Sequence, residues 1–307
     1  MEGATEVDAL ACPAVPPSGS VPPARLSGGA RALERHVRSL AQQKLAEAEA
    51  LLRQVDATWS PPPYDPFLVA QALGIRCLPV QSAWVEDAMI YVQDGQPTVL
   101  YRPDRPTARL RFSLFHEIAH TLFPDHLQRD LYRGTARPRL FEPEGQLEYL
   151  CDVAAAEFLM PLDLFRADLE RLGFGADRVP ELCQRYGASH EAVCLRMIEA
   201  DAVCCCLALL EQRRQDRRRA APTMVRVVYA TPSRLFREQG RFLPPFVELE
   251  ERSCVLQAVR GKKTTCGCEQ VDLGRGGRHA FRIEAVPLVW RRRRHGRTPV
   301  LAFFYPA

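Results

Sequence analysis

The sequence predicts an α+β fold, and three observations carry that expectation. Apolar residues recur at helical intervals through 30–55 and 146–160, the mark of helices with one buried face. Two short apolar runs, 88–92 and 98–101, flank Asp94-Gly95, which signals a β-hairpin. From residue 222 onward the patterns are again those of strands. The chain has 307 residues, 47 % of them hydrophobic, enough for one to two domains with a sizeable core.

Charge and composition narrow the function classes. The 41 basic and 37 acidic residues give a net charge of +4, too balanced to imply nucleic acid by itself. The longest apolar run, 202–210, is too short to span a bilayer. The chain opens Met-Glu-Gly-Ala-Thr-Glu, with neither a basic nor an apolar leader segment. A cytoplasmic protein with its 11 cysteines as reduced thiols is therefore expected. An odd cysteine count also argues against a complete disulfide framework.

Residues 1–28 are rich in Pro, Gly, Ser and Ala and read as a disordered leader. An amphipathic helix follows over 29–58, with Leu33, Val37, Leu40, Leu51 and Val55 on its apolar side. Its expected role is a strut packed on the main domain. The run 60–66 breaks that helix. Asp65 can cap the next one, with Pro66 at its first position and Gly74 at its end. A strand is expected over 75–80, and the hairpin completes a small sheet. An exposed strand of such a sheet can pair with an extended peptide by strand addition.

After the sheet comes Phe112-Ser-Leu-Phe-His-Glu-Ile-Ala-His120, which contains His-Glu-x-x-His. Residues four apart share a helix face, so His116 and His120 can hold one ion together. Glu117 can then reach a water beside that ion. Phe115, Ile118, Ala119 and Leu122 supply a core-facing stripe. Thr107 is the expected cap, Pro106 the boundary and Pro124 the stop. A catalytic zinc normally takes three protein ligands, so a third is needed. The helix over 146–160 offers Glu148, Asp152 and Glu157. Glu148 is assigned as the metal ligand. Asp152, one turn on, can accept a hydrogen bond from a ligand histidine. Glu157 points elsewhere by the helical period and is expected at the surface or rim. Glu142 and Glu144 are the runner-up ligands. The polar, arginine-bearing loop over 125–145 is expected to border the cleft.

These residues resemble a known family. Arg111-Phe-Ser-Leu-Phe-His-Glu-Ile-Ala-His120 followed by Glu148-Tyr-Leu-Cys-Asp-Val-Ala-Ala-Ala-Glu-Phe-Leu-Met-Pro161 looks like the ImmA/IrrE metallo-endopeptidases, and the segment from Asp65 to Ile75 resembles them too. The resemblance covers roughly 60–200. It implies a zincin-like metallopeptidase domain of small sheet and active-site helices. It also implies that His116, His120 and Glu148 bind Zn2+, with Mn2+ possible, and that Glu117 is catalytic. One departure is Asp152, where the family usually has Asn; either side chain accepts a hydrogen bond from histidine. The implied activity is that of a zinc-dependent endopeptidase. Glu117 would assist a metal-bound water in attacking a peptide bond of a specific intracellular regulator, a repressor or antitoxin, in stress or defence regulation. Tyr132, Tyr149 and His126 are candidates for stabilising the oxyanion. The competing reading is a DNA- or partner-binding regulator on a non-catalytic peptidase fold. The intact Glu117 disfavours it, since a scaffold has no need of that residue. A small-molecule metallohydrolase is disfavoured by the hairpin suited to peptides.

The peptidase domain is expected over 59–210, including a helical pair over 178–201 with its turn at Gly187 and a cap at Ser189. Family members carry a similar pair, often with helix-turn-helix character. Such a pair can enter a DNA major groove. Here only His190 and Arg196 are candidate base readers, so two helices completing the core is the favoured reading. Residues 203–210 read as a buried strand. Its successive cysteines cannot all face one ion, because strand side chains alternate. A basic linker over 211–221 leads to a C-terminal α+β domain over 222–307, similar to the extension on longer family members. Strands are expected at 224–229, 253–258, 279–290 and 299–305, with a basic hairpin tip at 291–296. A thiolate site from Cys254, Cys266 and Cys268 is disfavoured, as only one close pair exists.

Overall fold

The computed structural model describes residues 28–82, 84–123, 143–212, 224–250, 252–288 and 298–307. The expectations for the leader, for the loop up to residue 142, for Pro124, for most of the basic linker and for the basic hairpin tip lie outside these residues.

The described part is mixed α+β. Helix α1 (Gly28–Val55) buries Val37, Ala41, Leu45 and Ala48, a stripe with the helical repeat. Helix α2 (Pro66–Ala72) starts as its sequence dictates: the Asp65 carboxylate accepts from Phe67 N–H, and Pro66 takes the first turn. Gly74 ends it at φ +71°, a conformation that glycine adopts without strain. Strands β1 (Arg76–Pro79), β2 (Ala88–Gln93) and β3 (Gln96–Tyr101) form a sheet in the order β1-β3-β2. The β2–β3 turn places Asp94 and Gly95 at φ 52° and 78°, as a tight hairpin requires. Strand β2 is therefore an edge.

Helix α3 (Thr107–Ala119) carries the histidine motif and runs into a 3-10 turn, His120–Leu122. Thr107 is not its cap, contrary to expectation. It is the first helical residue, Pro106 precedes it, and no side chain caps this end. Helix α4 (Pro143–Leu159) packs against α3 through Cys151, Ala154, Ala155 and Phe158, and Phe158 stacks on Phe115 at 5.8 Å. Small residues on α4 let the two backbones approach closely. Helix α5 (Leu162–Leu172) leads to the helical pair, α6 (Val179–Tyr186) and α7 (His190–Ala200). Gly187 makes the turn at φ +62°, and the Ser189 hydroxyl accepts from Ala192 N–H to cap α7.

The second sheet holds β4 (Cys206–Gln212), β5 (Val225–Pro232), β6 (Glu248–Leu249), β7 (Thr265–Asp272), β8 (Arg278–Pro287) and β9 (Val300–Pro306) in the order β6-β5-β4-β9-β8-β7. The strand read at 203–210 is thus the partner of β5 and β9, with antiparallel ladders to both. Its alternation splits the cysteines. Cys205, Leu207 and Leu209 join the core shared with α3 and α4, while Cys206, Ala208 and Leu210 face a second core. That second core is closed by α8 (Arg234–Glu238) and α9 (Cys254–Gly261).

The strand expected at 253–258 is instead helix α9. Ser253 accepts from Val255 N–H at its start, and Cys254, Val255 and Ala258 are buried on one side. A short apolar run fits either period, and the serine cap decides it. Among the described residues no helix is long and apolar enough to cross a membrane.

Candidate metal centre

Helix α3 presents His116 and His120 from successive turns because Leu114, Phe115, Ile118 and Ala119 hold its other side in the core. Helix α4 crosses it and brings Glu148 to the same place. Glu148 Oε2 lies 3.1 Å from His116 Nε2, and Oε1 lies 3.7 Å from His120 Nε2. One ligand atom from each of the three falls within 4.8 Å of the others. Two ligands on a tetrahedral ion with bonds near 2.1 Å stand about 3.4 Å apart. The observed separations bracket that spacing, so the donor set fits a single divalent ion. Among the described residues this is the group of three with that property.

Asp152, one turn after Glu148, meets His116 from behind: its Oδ1 is 2.8 Å from Nδ1. That bond places the proton on Nδ1 and turns Nε2 towards Glu148. Burial opposes a charge on His116. The bonds to Asp152 and Glu148 and the nearby Glu117 outweigh it and hold its pKa well above the usual histidine value. The cluster is thus a partly buried, acidic group of side chains that favours a cation. Glu117 points to the sheet, where its Oε2 accepts from Ile90 N–H at 2.9 Å. That donor belongs to the outward-facing edge of β2. A backbone group carries no residue-type signal, and only the hairpin reading hinted at it.

Other sequence candidates fall elsewhere. Glu157 is not a rim charge: it is fully buried and bonded to Arg196, Gln42 and Leu162 N–H. The helical period does turn it from the metal, but towards the core. Tyr149 gives its hydroxyl to Glu34 on α1, away from the three donors. His126, Tyr132 and Glu142 lie outside the described residues, and Glu144 sits in the first turn of α4. Arg196, a proposed base reader, is buried. His190, the other, is half-buried, with Nδ1 3.4 Å from Cys183 Sγ. Cys266 and Cys268 are exposed on β7, whereas Cys254 is buried behind Gly267, so the three do not converge.

A two-histidine helix crossed by a carboxylate-bearing helix, beside a small sheet, is an arrangement that could hold one divalent ion. Residues 70–197 match the family model for the IrrE N-terminal-like domain, Peptidase_M78, so that segment is similar to the ImmA/IrrE family. The radiation response metalloprotease IrrE of Deinococcus radiodurans is 35 % identical over 104 residues, covering 33 % of this chain and 30 % of that protein. IrrE of Deinococcus deserti is 36 % identical over 103 residues, covering 33 % and 34 %. The matched part spans about a third of each relative. A Mycobacterium tuberculosis transcriptional regulator has a similar fold, with a TM-score of 0.52 at 12 % identity over 89 % of this chain and 87 % of that one.

Proposed function

We propose that this chain is a zinc-dependent endopeptidase with a zincin-like core that cleaves a specific intracellular regulatory protein, a repressor or antitoxin. One observation carries the proposal: His116, His120 and Glu148 converge on one point, with Glu117 adjacent and anchored to the edge strand β2. His116, His120 and Glu148 would hold the divalent ion, which would supply an acidified water and a polarised scissile carbonyl. Glu117 would serve as the general base that accepts a proton from the attacking water and as the acid that returns one to the leaving amine. Asp152 holds His116 in one tautomer and ring orientation throughout. The substrate lies as an added strand along β2, where Ala88, Val92 and the Ile90 carbonyl offer main-chain groups on the outer edge. Ile90 N–H fixes the Glu117 carboxylate at that edge. The alternative of a DNA-reading helical pair is weakened by the burial of Arg196.

The test is to incubate the purified chain and candidate regulators with zinc, with zinc plus chelator, and as Glu117→Gln. Cleavage with zinc alone, abolished in the other two arms while Glu117→Gln still binds one zinc, is the expected result. Full cleavage by Glu117→Gln would remove that residue from the mechanism.

A further inference from the structure

Helix α1 lies outside the segment matched to the family, yet it runs along the helix that bears Glu148. Besides the Arg38–Glu157 pair at 3.3 Å, two hydrogen bonds tie them. Tyr149 OH donates to Glu34 Oε1 at 2.6 Å, and Gln42 Nε2 donates to Glu157 Oε1 at 2.9 Å. In both, the partners are 115 residues apart in sequence. A constant offset means the helices run parallel and in phase over these turns, about 12 Å of each axis. Val37 and Ala41, fully buried between the two bonds, fill the contact.

The two ends of this seam differ. At the Gln42 end, Glu157 is also held by Arg196, Arg38 and Leu162 N–H, so α4 is anchored there several times over. At the other end, Tyr149 follows Glu148 directly and precedes Asp152 by one turn. A hydrogen bond on that residue acts on the turn that presents both carboxylates to the histidines.

We propose that Glu34 and Tyr149 are a positioning pair for the metal centre, so that α1 is a working part of the site. The pair sets the height and rotation of the Glu148–Asp152 turn against His116 and His120. This rests on the metal-site reading above. Neither residue is one of the three donors that converge on the site.

The experiment measures zinc affinity of the full chain by competition with a chromophoric chelator, alongside thermal unfolding of the metal-free protein. Tyr149→Phe keeps the ring and removes the bond; Glu34→Ala removes the acceptor. Each is expected to weaken zinc binding about five- to tenfold, below the 10–100-fold typical of partners bonded directly to a ligand. The double variant is expected to match the singles, because both delete one bond. Glu34→Gln keeps an acceptor oxygen and is expected to bind within about twofold of wild type. Gln42→Ala cuts the other end and is expected to lower the unfolding temperature with zinc affinity unchanged. Unchanged affinity in folded Tyr149→Phe and Glu34→Ala overturns the pairing. So does an equal loss in Gln42→Ala, which would mark α1 as a mere strut. Failure of the wild type to take up one zinc per chain overturns the metal site itself, and the pairing with it.

Discussion

Arg196→Met tests the buried charge network in the middle of the molecule. The Arg196 side chain is 1 % exposed and the Glu157 side chain 0 %, with Nη2 and Oε2 2.6 Å apart. Arg196 Nε also donates to Met160 O at 2.8 Å, and Nη1 to Glu199 at 2.6 Å. Removing one partner of a buried ion pair costs about 3–5 kcal/mol, because the other charge stays buried. Arg38, 3.3 Å from Glu157, remains and offsets part of this, so about 3 kcal/mol is expected. That corresponds to roughly 6–12 °C in the unfolding temperature of a 150–250-residue unit. Replacing both residues, as Glu157→Met with Arg196→Met, leaves no unpaired charge and is expected to cost less than about 2 kcal/mol. The pH arm follows from linkage. Burial raises the Glu157 pKa, but the Arg196 charge and the bonds from Leu162 N–H and Gln42 outweigh it, and the net value is lowered. A carboxyl lowered on folding adds stability above its ordinary range, about 4.3, and loses it as pH falls through the folded value. Wild type is thus expected to weaken below about pH 4, and Arg196→Met to show a shallower decline there. Urea and thermal unfolding measure both. A single variant within about 1 kcal/mol of wild type, or a double variant worse than the single, refutes the network argument.

Three further outcomes are expected. Asp152→Ala leaves His116 Nδ1 without its acceptor and lowers zinc affinity about 10–100-fold, whereas Asp152→Asn, which keeps an oxygen, stays within about tenfold; chelator competition reads both. Gly187→Ala puts a Cβ 2.7 Å from Arg111 Nε at a backbone φ of +62°, and should lower stability by about 2 kcal/mol in urea unfolding. A fragment covering 28–212 strips β5 and β9 from β4 and bares Cys206, Ala208 and Leu210. It should lack the cooperative melt of the full chain, and a sharp transition at the full-length temperature would refute this.

What could be read from the sequence was local. Asp65-Pro66, Asp94-Gly95 and Gly187 with Ser189 each fix a turn or a helix end by their own stereochemistry, and each sits where that chemistry needs it. The spacing of His116 and His120, and of Glu148 and Asp152, follows from the helical repeat alone. What escaped was non-local or ambiguous. Glu157 lies about 140° around the helix from Asp152, which says that it leaves the metal but not that Arg196, 39 residues later, waits in the core. The run 253–258 suits a strand or a helix equally by apolarity. Strand β7 has Val271 as its one buried side chain, too little apolar signal to announce it.

The helical pair shows how far such non-local contacts govern function. Helix α7 turns Arg196 inward to Glu157 and Met160 O, so its most promising groove-reading side chain is spent on the peptidase core. Its outer partners come from strand β5 and helix α8. Glu191 accepts from Tyr229 OH, and Asp201 accepts from Arg234, through both backbone and side chain. The connection just before α6 is held likewise, with Ala176 N–H donating to Glu284 on β8. A pair gripped on both sides cannot lie in a DNA groove without first releasing one of them. Through these contacts the pair joins the six-stranded sheet side of the molecule to Glu157 at the far end of the helix that carries Glu148.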